Sequence, residues 1–364
     1  MRILFAGGGT GGHLYPGLAI ARAMVKLAPE VKPFFIGAKR GIERTVLPTT
    51  EFPHELLDLH PLYRSRPWEN WKTLRGGVSA WRRLSEIAES EPPAAVVGTG
   101  GYASGIALAY AVVHGIPFAV QEQNSFPGLT TKFFSRFARQ VFNGFPEAES
   151  YLRPGKNTVL FDSGNPIEPP PDPLPDRAAA RLAWKFPDTG KVLLVYGGSQ
   201  GSKAINDVVA RWISQGIPSG LNIIWATGQA TFSDYAQLEN QNVRIRPYLS
   251  PVADAYAAAD FAVSRGGAMA TAELAAWGIP PIVIPLPTAA ADHQTANARA
   301  LAAAGAAEMI GQNELTVESL DRSVRALVEN PALLAERSLA VKTRARPNAA
   351  RDIATHILEL VTSS

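Results

Sequence analysis

The chain has 364 residues, of which 46% are hydrophobic and 18% are charged, and its formal net charge is +3. This composition supports large buried cores and argues against long disordered stretches. The absence of cysteine excludes disulfides, thiolate chemistry and cysteine–zinc sites, and it predicts a reducing compartment. The net charge is too small to indicate nucleic-acid binding, and we expect neither a secretory signal nor a membrane-spanning helix.

A glycine-rich turn follows the first apolar run of the chain. Residues 2–6 predict a buried strand, residues 7–13 read Gly-Gly-Gly-Thr-Gly-Gly-His, and a helix is predicted from Leu14 to Met24. Glycine at this density lets a ligand approach the backbone, and the N–H groups at a helix start attract anions. The alternative is a tight turn in which glycine serves only the backbone dihedrals. We favour a phosphate-binding loop.

Short apolar runs alternate with helical segments along the rest of the chain, which predicts parallel sheets covered by helices on both faces. Further strands are predicted at residues 33–37, 94–98, 117–121, 191–196, 221–226, 260–263 and 281–285. A unit of strand, glycine pair, helix, Gly-Ile-Pro and strand begins near Val96 and again near Phe261, and the glycine loop has a counterpart at residues 197–202. The chain therefore predicts two similar Rossmann-like halves.

A proline-rich stretch marks the boundary between these halves. Six prolines lie between Pro166 and Pro175, a composition typical of a stiff, extended linker. We predict a first domain over residues 1–165 and a second over residues 166–345. The chain past Val317 reads as helices, and by analogy with the fold the last one, at about 346–364, is expected to pack back on the first domain.

The glycine loop at residues 7–12 formally matches the G-x-G-x-x-G pattern of dinucleotide enzymes. Dinucleotide enzymes place an acidic residue after the second strand to bind the ribose, whereas Lys39 and Arg40 follow the second strand predicted here. A basic pair suits a 2′-phosphate, so charge alone does not exclude NADP as the ligand. A P-loop is excluded because His13 stands where that motif needs Lys-Ser or Lys-Thr. No Asp-x-Asp and no cluster of ligands at metal-binding spacing occurs, so we expect no metal.

Six short motifs occur in order along nearly the whole chain. They are residues 8–16 (GGTGGHLYP), 100–105 (GGYASG), 121–130 (QEQNSFPGLT), 164–166 (GNP), 197–201 (GGSQG) and 292–298 (DHQTANA). In all six the chain resembles the MurG family of peptidoglycan N-acetylglucosaminyltransferases, which lies within glycosyltransferase family 28. Any one motif is weak evidence, whereas six in order with matching spacing are specific.

The resemblance implies an α/β fold of the GT-B class, in which two Rossmann-like domains with parallel sheets face each other across a cleft. It implies inverting transfer of N-acetylglucosamine from UDP-GlcNAc to the 4-hydroxyl of undecaprenyl-pyrophosphoryl-MurNAc-pentapeptide, which converts lipid I to lipid II. It further implies a peripheral protein on the cytoplasmic face of the cell membrane, without a cofactor and without a nucleic-acid partner.

The resemblance also implies residues that bind the donor UDP-GlcNAc. Ser199, Gln200 and Gly201 are expected to open a helix and bind the pyrophosphate, with an ordinary N-cap as the alternative for Ser199. Glu273 would accept hydrogen bonds from both ribose hydroxyls, unless it is a solvated surface residue. Leu249 would contact uracil through its backbone, or pack in the core, or both. The other implied donor contacts are Thr10, Gly11, Gly12, Asn124, Ala268, Met269, Thr271, Gln294 and Asn297.

His13 is the leading candidate for the general base that takes the proton of the acceptor hydroxyl. The alternative is that His13, at the start of a helix, binds an acceptor phosphate. Glu122 is the second catalytic candidate, either as the base or as the group that orients His13. Tyr102 and Asn124, with His13, are expected to bind the acceptor.

A stretch of mixed aromatic and basic residues is a candidate membrane-binding surface. Its members at roughly helical spacing are Trp68, Trp71, Lys72, Arg75, Trp81 and Arg82. Tryptophan at an interface and arginine toward anionic headgroups are typical of a protein that rests on a bilayer. The alternative is a core helix with solvated arginines.

The sequence departs from the family pattern after residues 164–166, where Ile167 and Glu168 replace Val-Arg. A carboxylate cannot replace an arginine near an anion, so either Arg265 or another basic residue compensates, or the affinity on the uracil side is weaker. Four alternatives to the lipid II reaction stay open. They are a GT-B transferase with a different acceptor, a UDP-GlcNAc 2-epimerase, a sugar-nucleotide-binding protein without turnover, and an NADP oxidoreductase.

Overall fold

The computed structural model describes residues 1–60, 68 and 70–362, and the side chains of residues 70–74 lie outside that description. The chain divides into two compact units, each with its own sheet. The first unit comprises Met1–Glu168 and Asn348–Ser364, and the second comprises Pro169–Pro347.

The first unit alternates strands with helices. Up to residue 162 its elements are β1 (Arg2–Ala6), α1 (Gly11–Leu27), β2 (Lys32–Ala38), α2 (Glu43–Val46), β3 (His54–Leu57), α3 (Asn70–Ser90), β4 (Pro93–Gly98), α4 (Gly101–His114), β5 (Phe118–Glu122), α5 (Leu129–Phe134), β6 (Gln140–Asn143) and β7 (Val159–Asp162). Short 3₁₀ segments lie at Leu47–Thr49 and Pro146–Tyr151.

The second unit repeats this alternation. Its elements are α6 (Arg177–Ala183), β8 (Lys191–Tyr196), α7 (Lys203–Gln215), β9 (Leu221–Ala226), α8 (Phe232–Tyr235), β10 (Val243–Arg246), α9 (Ala253–Ala258), β11 (Phe261–Ser264), α10 (Ala268–Trp277), β12 (Pro281–Val283), α11 (His293–Ala303), β13 (Glu308–Met309), α12 (Val317–Val328) and α13 (Pro331–Thr343). Its 3₁₀ segments lie at Ala236–Leu238, Ala290–Asp292 and Gln312–Glu314. The last helix, α14 (Ala349–Thr362), belongs to the first unit.

Both sheets have the doubly wound strand order. Within the described residues the first sheet runs β3-β2-β1-β4-β5-β6-β7 and the second runs β10-β9-β8-β11-β12-β13. Every neighbouring pair is parallel. The predicted α/β fold of two parallel sheets is therefore confirmed. In such sheets ligands bind beyond the carboxyl ends of the strands, at the point where the strand order reverses. That point lies between β1 and β4 in the first unit and between β8 and β11 in the second.

Buried apolar runs form the cores on both faces of each sheet. In the first unit, Ile3 and Phe5 of β1 pack on one face with Leu14 and Leu18 of α1, while Leu4 packs on the other face. Helix α14 joins the first of these cores through Ile353, Ala354 and Ile357, which are fully buried beside α1. The C-terminal helix thus covers the sheet of the first unit.

A buried ion pair anchors the start of the second unit. Asp260 accepts hydrogen bonds from Nη2 of Arg181 at 2.6 Å and from the backbone N–H of Val192 at 2.7 Å. The Arg177 guanidinium lies 3.1 Å from the same carboxylate. A buried carboxylate needs such partners to offset the loss of water. The contacts tie α6 to the edge where β8 and β11 begin.

Candidate active site

The glycine turn between β1 and α1 is shaped by a buried carboxylate. Glu43 is fully buried, and its Oε1 accepts hydrogen bonds from the backbone N–H of Gly9 at 2.8 Å and of Ala38 at 3.3 Å. Gly9 has φ of +91°, which an L side chain rarely adopts. Glu43 therefore stabilises the turn. Because its carboxylate is buried, it is not the ribose-binding acid of a dinucleotide site.

Helix α1 begins at Gly11, and the first-turn residues Gly11, Gly12 and His13 are accessible at the end of β1. Thr10 precedes the helix in extended conformation and is exposed; its hydroxyl makes no capping hydrogen bond. The N–H of His13 donates to the carbonyl of Thr10 at 3.2 Å, whereas the first N–H groups of a helix have no acceptor four residues back. The positive end of the helix dipole suits this position to an anion.

His13 is contacted by the residues that directly follow β4 and β5. Its carbonyl accepts a hydrogen bond of 2.7 Å from the hydroxyl of Thr99, and its Nδ1 lies 2.9 Å from Oε1 of Gln123. The predicted orienting partner, Glu122, does not make this contact. The side chain that contacts Nδ1 of His13 is that of Gln123, which the sequence analysis did not single out.

Glu122 organises the turn after β5. It is buried, with Oε1 accepting from the N–H of Asn124 at 3.0 Å and Oε2 accepting from the N–H of Gly128 at 3.0 Å. The Asn124 amide also donates to Oε1 at 3.3 Å. Because both oxygens serve the turn, the geometry argues against Glu122 as the base and assigns it to holding Asn124.

Tyr102 lies in the first turn of α4, at the end of β4. Its hydroxyl donates to the carbonyl of Arg40 at 2.7 Å, and its ring lies against Gly9. The structure thus brings Thr10, Gly11, Gly12, His13, Tyr102 and Asn124 to the same carboxyl edge of the first sheet.

The second unit contains a cavity of about 430 Å³ at the carboxyl ends of β8 and β11. It is lined by Tyr196, by residues 197–204, and by Arg265, Gly267, Ala270, Leu286 and Gln294. The expectation that Ser199 to Gly201 open a helix is wrong by a few residues. Helix α7 begins at Lys203, and Ser202 caps it by accepting from the N–H of Ile205. Ser199, Gln200 and Gly201 instead form the loop before the cap, so Ser199 is not the N-cap.

Arg265 lies in the wall of this cavity and is almost fully buried. Its Nη1 donates to the carbonyls of Ile284 and Pro285, each at 3.1 Å, and its Nη2 donates to the Ser202 hydroxyl at 2.7 Å. Nη2 also donates to Oε1 of Gln312 at 2.7 Å. Burial lowers the pKa of Arg265. The guanidinium places a positive charge beside the cap of α7, where the helix dipole also favours an anion.

Glu273 lies on α10 and is held by a tyrosine of α9. The hydroxyl of Tyr256 donates to Oε2 of Glu273 at 2.7 Å. Burial raises the pKa of Tyr256, so the phenol stays protonated and donates. Glu273 is half-buried rather than a freely solvated surface residue.

Four other predicted donor contacts differ in accessibility. Thr271 is buried and its hydroxyl donates to the carbonyl of Gly267 at 3.0 Å, so it stabilises the start of α10. Ala268 is buried and Met269 half-buried in the same turn. Leu249 is buried in the core, as one of its two predicted roles requires.

Gln294 and Asn297 lie one turn apart on α11 but do not share a role. Gln294 lines the cavity and its Oε1 accepts from the N–H of Leu286 at 3.0 Å. Asn297 is fully buried and its amide donates to the carbonyl of Gly266 at 3.1 Å. Its burial leaves no surface for a sugar hydroxyl, and its contact supports the loop between β11 and α10.

Two findings concern the whole described chain. Among the described residues, no group of three or more His, Cys, Asp or Glu side chains is arranged to hold a metal ion. In that same part of the chain, no helix combines the length and the hydrophobicity needed to cross a bilayer.

Both units match models of one protein family. Residues 3–143 match the glycosyltransferase family 28 N-terminal domain, and residues 192–354 match the glycosyltransferase family 28 C-terminal domain. Relatives named UDP-N-acetylglucosamine–N-acetylmuramyl-(pentapeptide) pyrophosphoryl-undecaprenol N-acetylglucosamine transferase align over nearly the full chain. The one from Desulforamulus reducens is 37% identical, covering 97% of each chain, and the one from Chlorobaculum parvum is 38% identical, covering 99% of each.

The chain belongs to the MurG family of glycosyltransferase family 28. Solved structures agree with this assignment. The crystal structure of Acinetobacter baumannii MurG is 29% identical, with a TM-score of 0.78, covering 98% of this chain and 99% of that one. A UDP-N-acetylglucosamine 2-epimerase, at 13% identity and a TM-score of 0.64, covers 100% of this chain and 97% of that one, and shares the fold alone.

Glu168, where the resemblance led us to expect an arginine, is exposed at the end of the first unit. The pKa of Arg22 is raised by its hydrogen bond to Glu51, and the charges of Glu51 and Glu168 add to this effect. Glu168 therefore belongs to a surface group of charges around Arg22. Arg265, in the cavity of the second unit, is the buried cation that lies beside the loop of Ser199 to Gly201.

The predicted membrane surface is only partly described. Trp68 is 72% exposed, and Arg75 and Arg82 are exposed on α3, whereas Trp71 and Lys72 lie outside the described side chains. Trp81 differs from the expectation. It is half-buried, and its ring contacts Tyr110 at 5.2 Å between centroids, so it packs α3 against α4.

A second aromatic and basic cluster, which the sequence analysis missed, lies on and just after α5. Leu129, Phe133 and Phe137 are 60%, 52% and 47% exposed. The Arg136 guanidinium lies over both phenylalanine rings, at 5.4 and 5.9 Å from their centroids. The signal in the sequence was the run Lys-Phe-Phe-Ser-Arg-Phe at 132–137, which interleaves aromatic and basic residues. We name Leu129, Phe133, Arg136 and Phe137 the α5 patch.

Proposed function

We propose that this chain transfers N-acetylglucosamine from UDP-GlcNAc to the MurNAc sugar of lipid I and so forms lipid II. The relatives that match the chain end to end carry this activity in their names. The observation that carries the proposal is the placement of the family motifs. Residues 8–16, 100–105 and 197–201 follow β1, β4 and β8, the strands at the strand-order reversals, and His13 lies in the first of these motifs. Residues 121–130 and 164–166 follow β5 and β7 at the same carboxyl edge of the first sheet, and residues 292–298 reach the cavity of the second unit through Gln294.

The second unit is suited to the donor. A nucleoside diphosphate needs N–H donors and positive charge, and the loop of Ser199 to Gly201 lies beside the start of α7 and the buried Arg265. Glu273 offers two acceptor oxygens to the ribose diol, and Gln294 lies in the cavity wall for the sugar. As UDP leaves, the negative charge that grows on its phosphate is stabilised by the N–H groups of this loop, by the start of α7 and by Arg265.

The first unit is suited to the acceptor. His13 takes the proton of the 4-hydroxyl of MurNAc while that oxygen attacks the anomeric carbon of N-acetylglucosamine. The new bond joins the anomeric carbon to the acceptor oxygen, and the bond to the UDP phosphate breaks with its electron pair on UDP. Because this is a single displacement, the configuration at the anomeric carbon inverts. Tyr102 and Asn124 are the expected acceptor contacts. The α1 N-terminus at Thr10 to Gly12 is expected to meet the sugar or phosphates of the donor, with the acceptor diphosphate as the alternative.

The test is an assay with radiolabelled UDP-GlcNAc and a short-chain lipid I analogue. We expect label to move into the lipid product, and to do so only when the analogue is present. Formation of UDP-ManNAc without acceptor would instead indicate an epimerase, and donor binding without turnover would indicate a non-catalytic binding protein. Either result would overturn the proposal.

We further propose that the first unit rests on the cytoplasmic face of the membrane through α3, α4 and α5. Helix α4 packs against both α3 and α5, and each of the three exposes apolar side chains. Val78 on α3 and Val113 on α4 are exposed, together with the α5 patch. Arg75 and Arg82 of α3 and Arg136 supply positive charge. Exposed aromatic and basic residues together favour an anionic lipid surface, where the acceptor's lipid chain resides.

The double substitution Phe133→Ser with Phe137→Ser should weaken binding to vesicles that contain phosphatidylglycerol. Removing two half-exposed aromatic rings from the interface is expected to lower the partition coefficient about tenfold or more. Sedimentation with vesicles measures this directly. The matched control is Leu339→Ser, which removes an exposed apolar side chain of the second unit and should leave binding unchanged. Unaltered sedimentation of the double variant would contradict the role of the α5 patch.

A further inference from the structure

A chain of three buried amide side chains ends at His13. Nε2 of Gln123 lies 2.8 Å from the carbonyl of Thr99, 3.3 Å from the carbonyl of Gln121 and within hydrogen-bond distance of Oε1 of Gln121, so its two hydrogens are shared among three acceptors. Nε2 of Gln121 donates in turn to Oδ1 of Asn165 at 3.3 Å. The Asn165 amide donates back to the carbonyl of Gln123 at 3.0 Å. All three side chains are at least 98% buried.

The direction of this network is fixed by its acceptors. The amide nitrogen of Gln123 faces two backbone carbonyls, and a carbonyl can only accept. Rotating the amide by 180° would place its oxygen against these carbonyls and leave their hydrogen bonds unmade. The oxygen of Gln123 must therefore face His13, where Nδ1 lies 2.9 Å away.

An amide oxygen can only accept a hydrogen bond, so Nδ1 of His13 must carry the hydrogen. A neutral imidazole has one protonated nitrogen, and the basic lone pair is then on Nε2. The three amides donate in the same sense along the chain, which strengthens each hydrogen bond through polarisation.

We propose that Gln123 is a positioning residue that holds His13 in the Nδ1–H tautomer, with Nε2 as the nitrogen that takes the acceptor proton. This inference rests on the proposed function, in which His13 is the general base. It also gives a role to two motifs, because Gln121 and Gln123 belong to residues 121–130 and Asn165 to residues 164–166. Glu122, whose oxygens serve the turn to Gly128, takes no part in setting the tautomer.

The first test is the tautomer of His13 in the unmodified protein. The chain has six histidines, so imidazole ¹⁵N labelling with His13→Ala for assignment resolves the residue by NMR. At a pH where the imidazole of His13 is neutral, we expect a protonated Nδ1 and an unprotonated Nε2. A protonated Nε2, or rapid averaging of the two nitrogens, would overturn the inference. This measurement needs no turnover, so it stands apart from the test of the proposed function.

The second test is Gln123→Met, which keeps the volume of the side chain and removes its oxygen. We expect the ¹⁵N signals of His13 to show both tautomers and kcat to fall about tenfold or more, with acceptor KM changed less than about threefold. The matched control is Gln140→Met. Gln140 is a buried glutamine at the start of β6, at the opposite edge of the same sheet, and donates to the carbonyl of His356.

Gln140→Met should lose stability to a similar extent as Gln123→Met, but it should retain the Nδ1–H tautomer of His13 and an unchanged kcat. If Gln123→Met leaves the tautomer intact, or if Gln140→Met lowers kcat equally, Gln123 serves the fold and not the base. If His13 has the Nδ1–H tautomer but neither the unmodified protein nor its variants transfer the sugar, the proposed reaction is wrong and the tautomer inference stands.

Discussion

Replacing His13 with alanine is expected to lower kcat by about 10²- to 10⁴-fold, the range that loss of a general base produces. The acceptor hydroxyl is a poor nucleophile while it keeps its proton. His13 is the titratable side chain that follows the glycine turn, and Gln123 and Thr99 hold it from two sides. Donor KM should change little, because His13 is not among the expected donor contacts and the groups proposed for the ribose and the pyrophosphate lie in the second unit. Steady-state kinetics with the short-chain lipid I analogue measures both parameters.

The alternative role for His13 is to bind an acceptor phosphate at the start of α1. In that case His13→Ala would raise the acceptor KM and leave kcat nearly unchanged, which would exclude it as the base. His54→Ala is a suitable control, since His54 opens β3 at the amino edge of the same sheet and its Nδ1 contacts the carbonyl of Phe52. That variant should keep kcat within about twofold, because surface and edge changes are usually mild.

Much of the fold could be predicted because its signals are local. Buried parallel strands appear as continuous apolar runs, and the predicted runs at 94–98 and 191–196 coincide with β4 and β8 within a residue or two. Glycine after such a run marks the turn into a helix. Helix starts were harder to predict. The start of α7 lies at Lys203 because Ser202, rather than Ser199, makes the capping hydrogen bond, and several serines and glycines compete there.

The candidate site could be predicted by motif but not by contact. Spacing alone placed Gln294 and Asn297 on one helical face, yet only Gln294 lines the cavity, since the Gly266 carbonyl draws Asn297 inward. His13 and Gln123 are 110 residues apart, so their hydrogen bond depends on how β1 and β5 lie in the sheet. Long-range pairing of this kind leaves no periodic signal in the sequence.

Removing the carboxylate of Glu273 is the second change with a large expected effect. We expect Glu273→Ala to raise the KM for UDP-GlcNAc about 10- to 100-fold with kcat nearly unchanged, because hydrogen bonds to a charged group contribute about 1.5–3 kcal/mol. Glu336→Ala, at an exposed position on α13 of the same unit, is the control and should leave donor KM unchanged. An unaltered donor KM in Glu273→Ala would remove this residue from the donor site.

The ribose contact can be separated from a general loss of affinity with 2′-deoxy-UDP as a competing ligand. If Glu273 binds the ribose diol, the unmodified protein should prefer UDP over 2′-deoxy-UDP, and Glu273→Ala should lose most of that preference. Calorimetry of the two nucleotides with both proteins measures the difference. Equal discrimination in the variant would show that the carboxylate acts elsewhere on the donor.

Tyr256 should act through Glu273, because its hydroxyl donates to Oε2 at 2.7 Å and the buried phenol stays protonated. Tyr256→Phe is expected to raise donor KM about threefold to tenfold by releasing the carboxylate from its fixed orientation. Once Glu273 is alanine, the same substitution has no carboxylate to release, and the double variant should resemble Glu273→Ala alone. Full additivity of the two effects would mean that Tyr256 serves the core around α9 and α10 rather than the orientation of Glu273.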